Sequence, residues 1–209
     1  MWTRRVDDDP GRLSRRAERK LVVAACSGDQ AAARKLVDAH KDRLFAFVWR
    51  IVRDHHDAEE ICQDTFMRAF SSLETFRPEF RFSTWLFTIG YRLCLNWIRR
   101  KHAVTGELDT TMLPCGEAGP VDELAQSEDA RRLKNAIWNA VDQLSVPQRA
   151  TVLLYYREEQ SCQDIAETLQ IPVATVKSHL HRARARLRSL LANVADDWSK
   201  VSILRENAS

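Results

Sequence analysis

Five cationic side chains close to the C-terminus offer the plainest chemistry in this 209-residue chain. They are Lys177, Arg182, Arg184, Arg186 and Arg188, with His179 and His181 among them and no acidic residue between them. Guanidinium and ammonium groups bind phosphate oxygens, and a helix that carries them fits the DNA major groove. The pattern therefore predicts a DNA-binding helix.

The residues just before this helix complete a helix-turn-helix pattern. Ser161 and Asp164 have the spacing of a capping box, and Pro172 marks a turn between two short helices. The apolar positions that would hold the two helices together are Ile165, Ala166, Leu169, Val176 and Leu180. A solvated, arginine-rich surface helix is the alternative. DNA binding is favoured because the turn chemistry and the one-sided charge occur together.

The basic helix predicts two kinds of DNA contact. The early exposed residues, which are expected to approach bases and phosphates, are Lys177, Ser178, His181 and Arg182. The later arginines, Arg184, Arg186 and Arg188, are expected to contact phosphates only, which positions a protein on DNA without specifying a sequence.

A second set of residues mixes aromatic rings with cations between Phe76 and Lys101. Its members are Phe76, Arg77, Phe80, Arg81, Phe82, Trp85, Phe87, Arg92, Asn96 and Arg99. Such a mixture suits single-stranded nucleic acid, because bases stack on rings while cations follow the backbone. Core packing explains the aromatic residues equally well, since Trp85 and Trp97 fall on one apolar stripe of a helix.

Helical periodicity predicts the elements that position the second set. Ser14 is expected to cap a helix that ends at Cys26, and Asp29 to cap a second helix that ends at the polar segment 54–56. Asp57 and Glu60 predict a capping-box start for a third helix, whose inner stripe is Ile61, Thr65, Ala69 and Leu73. Ser83 is expected to cap a helix over 84–101, whose inner stripe is Trp85, Ile89, Leu93 and Trp97.

The periodicity stops between Ala103 and Ser127, where Gly, Pro and acidic residues predict a flexible linker. A helix resumes near Glu128 with a stripe of Leu133, Ile137, Val141 and Leu144, and another follows from Ser145 to Tyr156. The predicted fold class is therefore all-α, with two small helical domains joined by a flexible linker. The predicted bounds are a flexible head over 1–17, domains over 18–102 and 128–192, an acidic linker over 103–127, and a tail over 193–209.

Composition excludes several classes of protein. Five dispersed cysteines without a Cys-x-x-Cys pair fit reduced thiols in a cytoplasm better than a disulfide framework, and no zinc-ligand spacing occurs. Neither an apolar signal segment nor a run of about 18 apolar residues is present, which predicts no membrane insertion. We expect no catalytic residue, metal or cofactor, since the chain lacks a phosphate-binding glycine loop and a nucleophile elbow.

Several motifs in order resemble those of one family. In the first half they are Asp57-Ala-Glu-Glu-Ile-Cys-Gln-Asp-Thr-Phe66, Phe76-Arg77, Ser83-Thr-Trp-Leu86 and Asn96-Trp97. In the second half they are Leu144-Ser-Val-Pro-Gln-Arg149 and Thr175-Val-Lys-Ser-His-Leu-His-Arg182. Over residues 18–192 the chain resembles a group IV, or extracytoplasmic-function (ECF), sigma factor of bacterial RNA polymerase.

This resemblance implies a function and partners. The protein would bind core RNA polymerase, at the β′ clamp helices and the β flap, and direct transcription from specific promoters. An anti-sigma factor, often bound to the inner membrane, would control it. A stand-alone helix-turn-helix regulator of the LuxR type is the alternative, because Thr-Val-Lys-Ser-His-Leu also occurs there.

The resemblance also assigns the residues to three surfaces. Polymerase binding would use Asp57, Glu60, Gln63, Asp64 and Phe66. Recognition and melting of the −10 promoter element would use Phe76, Arg77, Phe82, Trp85, Arg92, Asn96 and Arg99. Recognition of the −35 element would use Lys177, Ser178, His181, Arg182, Arg184 and Arg186.

Overall fold

The computed structural model of the protein describes residues 13–77, 79–105 and 128–206. Within these ranges the chain forms eight α-helices, one short 3-10 helix at Leu73–Thr75 and no strand, which confirms the predicted all-α class. The α-helices are α1 (Arg15–Cys26), α2 (Gln30–Val52), α3 (His55–Ser71), α4 (Phe82–Thr105), α5 (Glu128–Asp142), α6 (Val146–Tyr156), α7 (Cys162–Leu169) and α8 (Val173–Glu206).

Three of the predicted helix starts are confirmed by their caps. The Ser14 hydroxyl accepts a hydrogen bond from the backbone N–H of Ala17, and the Asp29 carboxylate accepts two from the first turn of α2. At α7, Ser161 and Asp164 form the predicted capping box in both directions. Each of these side chains satisfies backbone donors that have no partner inside the helix.

The predicted start of α3 is wrong. Asp54 caps this helix, because its carboxylate accepts the backbone N–H of Asp57 at 2.9 Å, and His55 is already helical. Asp57 therefore lies in the first turn. The polar segment 54–56, interpreted from the sequence as a break, is the cap and first turn of α3, whereas α2 ends with a left-handed residue at Arg53 (φ 62°).

Replacing Asp54 by Ala is expected to lower the free energy of unfolding by about 1 kcal/mol, the usual cost of losing an N-cap. The hydrogen bond from the Asp57 N–H also holds the pKa of Asp54 below its usual value. The contribution of the cap is therefore present above the unfolded-state pKa, about 3.9, and is lost as the pH falls through the lower, folded-state pKa. Urea unfolding at pH 7 measures the difference; an equal or larger loss for Asp57→Ala would contradict the assignment.

Helix α4 also differs from the prediction. It begins at Phe82, where the backbone N–H of Trp85 donates to the carbonyl of Arg81, so Ser83 lies inside the helix instead of capping it. Its buried residues include Leu86, Phe87, Cys94 and Ile98. Of the predicted inner stripe Leu93 is buried, whereas Trp85, Ile89 and Trp97 are half-buried. The buried surface is broader than one stripe because α4 packs against α2, α3 and α7.

The C-terminal helices largely follow the prediction. In α7 and α8 the predicted residues Ile165, Ala166, Leu169, Val176 and Leu180 are all buried. Along the α5 stripe Val141 and Leu144 are buried and Leu133 and Ile137 half-buried, and Leu144 lies just beyond the helix end. Helix α8 continues to Glu206, past the predicted boundary at 192.

The two halves of the chain pack directly against each other. Helix α4 contacts α7 and helix α2 contacts α6, and one buried apolar cluster contains residues of both halves, such as Phe87 of α4 and Ile165 of α7. The predicted flexible head and linker fall mostly on residues 1–12 and 106–127, which lie outside the described residues.

Candidate nucleic-acid and protein-binding surfaces

The first half of α8 presents the predicted basic residues on its outer side. Lys177, Ser178, His181 and Arg182 are all exposed, while Val176, Leu180 and Ala183 are buried on the opposite side. The capping box of α7 and the left-handed residue Gln170 (φ 57°) fix the turn that sets this orientation. The arrangement is that of a helix-turn-helix whose second helix can enter a major groove.

The structure places Arg184 differently from its neighbours. Its Nε donates to the Tyr156 hydroxyl at 2.8 Å, and its guanidinium lies 5.5 Å from the Tyr155 ring centroid and 5.7 Å from that of Tyr156. The hydrogen bond to Tyr156 raises the pKa of Arg184. The sequence pattern identified Arg184 as cationic but not its tyrosine partners on α6, which orient its charge; Arg186 is exposed.

The loop before α4 contains a compact aromatic cluster. The rings of Phe76, Phe82 and Trp85 lie 5.5–5.9 Å apart, and His40 of α2 lies 5.5 Å from Phe82. Phe82, predicted to contact DNA, is only 1% exposed, because α4 begins at this residue and directs its ring into the core. Phe76 and Trp85 are half-buried and Arg77 is exposed. These three side chains are therefore accessible to solvent, whereas the Phe82 ring packs beneath them.

Helix α1 braces this loop, which sequence patterns did not reveal. The guanidinium of Arg15 donates to the backbone carbonyl of Glu79. Below it, Glu18 of α1 lies 3.1 Å from Nε2 of His40, and both side chains are buried. Glu18 and His40 are 22 positions apart in the sequence, so no pattern of neighbouring residues could have predicted their contact.

The outer side of α4 carries the predicted polar residues. Arg92, Asn96 and Arg99 are exposed, whereas Cys94 and Ile98 between them are buried. Positions separated by three or four residues lie on the same side of a helix. Two cations and one amide therefore share a surface that continues from the aromatic loop.

Helix α3 presents a mixed acidic and apolar surface. Glu60 and Gln63 are exposed, and Asp57, Asp64 and Phe66 are half-buried, with the Phe66 ring stacked on Phe70 at 6.4 Å. Met67, absent from the predicted set, is 57% exposed. Met67 lies four residues after Gln63, on the same side of the helix, and this spacing could have placed it in the predicted polymerase-binding set. An exposed methionine beside acidic residues suits a protein-binding surface.

Among the described residues no three His, Cys, Asp or Glu side chains converge as metal ligands. In those ranges, too, every helix is either too short or too polar to cross a bilayer.

Two family models match the chain in the order of its two halves. The model for Sigma-70 region 2 matches residues 36–104, which include α3 and α4. The model for Sigma-70 region 4 matches residues 134–187, which include the helix-turn-helix.

Curated relatives match along nearly their whole length or most of it. The chain is 32% identical over 186 residues to the ECF RNA polymerase sigma factor SigW of Bacillus subtilis, covering 84% of this chain and 97% of the relative. It is 34% identical over 185 residues to the ECF sigma factor SigE of Mycolicibacterium smegmatis, covering 86% and 70%. The chain therefore belongs to the ECF RNA polymerase sigma factors.

Solved structures agree in fold. CnrH, determined in complex with the cytosolic domain of CnrY, is 25% identical with a TM-score of 0.62, covering 85% of this chain and 98% of CnrH. The sigma factor RpoE of Bartonella quintana, determined with the anti-sigma factor NepR, has a TM-score of 0.64 at 24% identity, covering 76% and 96%.

Family membership decides between the two functions left open by the sequence. It supports a sigma factor over a stand-alone LuxR-type regulator. Sigma factors are transcription initiation factors rather than enzymes.

Proposed function

We propose that this protein binds core RNA polymerase through the exposed side of α3, opens the −10 promoter element with the aromatic loop and α4, and reads the −35 element with α8. The observation that carries the proposal is that the three residue sets lie on three separate parts of the chain, α3, the loop with α4, and α8, and that all their members except Phe82 present at least part of their surface to solvent. The three tasks thus require no residue to serve two partners.

Opening of the −10 element requires a base to leave the stack, which costs a few kcal/mol. The half-buried rings of Phe76 and Trp85 supply stacking surfaces for an extruded base, and the buried Phe82 holds them in place. On α4, Asn96 offers an amide that can bond a base edge, while Arg92 and Arg99 bind phosphates on either side.

Reading of the −35 element follows from the outer side of α8. Arg182 and Lys177 can reach base edges and phosphates, and Ser178 and His181 add shorter polar contacts. Arg184, held by Tyr156, and the exposed Arg186 provide phosphate contacts at the groove edge. Phosphate contacts fix the register and base contacts specify the sequence.

On α3, polymerase binding would use the acidic residues together with Phe66 and the exposed Met67. RpoE of Bartonella quintana was determined with the anti-sigma factor NepR, and we propose that an anti-sigma factor also controls this protein. The protein would act in the cytoplasm without catalysis of its own, because polymerase forms the phosphodiester bonds.

Run-off transcription with purified core polymerase tests this function. We expect transcripts from a subset of a genomic promoter library only when the protein is added, and retention of core polymerase on the immobilised protein. A Gln63→Ala, Met67→Lys variant is the matched control, since it should lose polymerase retention while keeping its fold. Absence of both transcript and polymerase retention would exclude the function.

Two arginines on α8 should differ in how they affect promoter choice. Arg182→Ala is expected to weaken binding by about 1–3 kcal/mol at promoters with the preferred −35 sequence and to relax that preference. Arg188→Ala should weaken all promoters alike and reduce the salt dependence, because it loses only a phosphate contact. Promoter binding by the polymerase holoenzyme across −35 variants and salt concentrations distinguishes them; identical profiles would contradict the assignment.

A further inference from the structure

The outer side of α1 carries charge of one sign. Arg19 and Lys20 follow Arg16 by three and four positions, so the three cations lie on one side of the helix, where all are exposed. The acidic residue of α1, Glu18, is instead 5% exposed and lies 3.1 Å from Nε2 of His40. No carboxylate in the described part of the chain pairs with these cations. Arg16, Arg19 and Lys20 together form what we call the basic side of α1.

This arrangement of charge is unfavourable for α1 on its own. Arg16 repels both Arg19 and Lys20, because like charges three or four positions apart destabilise a helix. Arg16 also lies in the first turn after the Ser14 cap, where the helix dipole is positive and a negative charge would be stabilising. Local arrangements that oppose stability are expected where a protein binds a partner. The basic side of α1 therefore calls for an anionic partner.

Helix α1 lies beside the segment that carries the aromatic cluster. Near the beginning of α1, the Arg15 guanidinium donates to the backbone carbonyl of Glu79. At the end of α1, the Cys26 thiol donates to the backbone carbonyl of Leu73, with 3.7 Å between sulfur and oxygen. Phe76 lies between Leu73 and Glu79 in the sequence, so these two contacts place the proposed −10 surface alongside α1.

A melted promoter strand has the chemistry that this surface requires. A strand whose base stacks on Phe76 and Trp85 carries a negatively charged phosphate on each side of that base. Guanidinium and ammonium groups bind such phosphates without reading the base, and these contacts fix the position of the strand. A partner of opposite charge is thus present beside α1 whenever the aromatic loop holds a base.

We propose that the basic side of α1 binds the phosphate backbone of the promoter strand whose extruded base the aromatic loop holds. The interface rests on the proposed function, since it extends the proposed −10 surface onto a helix outside the predicted set. It acts on every promoter alike, because it contacts no base edge. An acidic protein surface is the other kind of partner that three cations fit, and the experiment below distinguishes it from DNA.

A double variant, Arg16→Gln with Arg19→Gln, tests this interface. Binding is measured for the polymerase holoenzyme on a promoter found by run-off transcription, with its −10 element opened by mismatches. The variant should bind about fivefold more weakly at about 50 mM salt. The plot of log affinity against log salt concentration should become shallower by about 1.4, because each single-strand phosphate contact contributes about 0.7. Adding Lys20→Gln should bring this change to about 2.

Two matched variants separate charge at this position from other effects. Arg16→Lys with Arg19→Lys keeps both cations and should retain the wild-type salt dependence, since lysine binds phosphate as a point charge. Arg131→Gln with Arg132→Gln removes two exposed cations from α5 and should also retain it. Helix content by circular dichroism should stay unchanged throughout, because glutamine, lysine and arginine have similar helix propensities. If the double variant loses helix, Arg19→Gln alone replaces it, with an expected change of about 0.7.

The wild-type salt dependence in the double variant, with polymerase still bound, would overturn the proposal. Loss of core polymerase retention on the immobilised double variant would overturn it as well, and would assign the basic side of α1 to an acidic polymerase surface. Absence of transcripts from wild type would instead count against the proposed function. Binding of the free protein to a single-stranded oligonucleotide of mixed sequence then still tests the interface, since equal affinity of wild type and double variant would refute it.

Discussion

Replacing Arg149 by methionine is expected to lower the free energy of unfolding by at least about 3 kcal/mol, because it leaves buried carbonyls without a donor. The guanidinium of Arg149 donates to the carbonyl of Arg50 at 2.9 Å, of Asp142 at 2.6 Å and of Leu144 at 3.0 Å. The side chain is almost fully buried, and burial lowers the pKa of Arg149 to about 10. It therefore remains charged at neutral pH and links α2, α5 and α6.

Urea unfolding at pH 7 followed by circular dichroism measures this loss. Arg131→Met is the matched control, since Arg131 is exposed and pairs across one turn with the exposed Glu128, and no measurable change is expected. Arg149→Lys should recover only part of the loss, because an ammonium lacks the fork geometry that reaches three carbonyls. Equal stability of Arg149→Met and wild type would show that the three carbonyls find other donors.

The Cys62 thiol is expected to react with alkylating reagents about a thousandfold more slowly than a free cysteine at pH 8, and the Cys94 thiol is also expected to react more slowly than a free cysteine. Thiolate is the reactive form, and burial raises the pKa of Cys62 from 9.0 to about 12. Three pKa units reduce the thiolate fraction about a thousandfold. Burial raises the pKa of Cys94 well above its usual value too, and this thiol lies in α4 beneath the proposed −10 surface.

Mass spectrometry after timed alkylation measures both rates in one sample. Cys26 is exposed and Cys162 half-buried, so they provide internal references, and urea should make Cys62 and Cys94 equally reactive. Because the folded-state pKa values are raised, the stability from keeping these thiols neutral is fully present below about pH 9. For Cys62 this stability is lost as the pH rises from about 9 to 12. Fast alkylation of Cys94 in the folded protein would contradict its burial and indicate a redox-accessible thiol in the proposed −10 region.

Local chemistry determined much of the fold from sequence alone. The capping box at Ser161, the apolar residues of α7 and α8 and the basic outer side of α8 depend on neighbours within about four positions, and all are present in the structure. The exposed residues Arg92, Asn96 and Arg99 follow from the same helical spacing. Interactions of this range are visible in a sequence because the helix itself fixes their geometry.

The errors arose where two local signals competed. Asp54 and Asp57 are both good caps, and the left-handed end of α2 at Arg53 leaves Asp54 in the capping position. Phe82 belongs to an aromatic and cationic pattern that suits DNA, yet its contact with His40 of α2 places it in the core. The type of a residue indicates what its side chain can bind. Whether that side chain is buried depends on which distant helix packs over it, and the local sequence does not reveal this.

The sequence by itself determined two helical regions that carry the cationic residues proposed to bind DNA, and an acidic helix proposed to bind polymerase, because periodicity, caps and charge act over one or two turns. Only the tertiary structure decided that the regions pack on each other. Arg43 and Glu158 are 115 positions apart, and Asp142 meets Arg50 across α2 and α5. The spacing of such residues in the sequence does not predict these contacts. The contacts form only when both halves of the chain bury their apolar surfaces together.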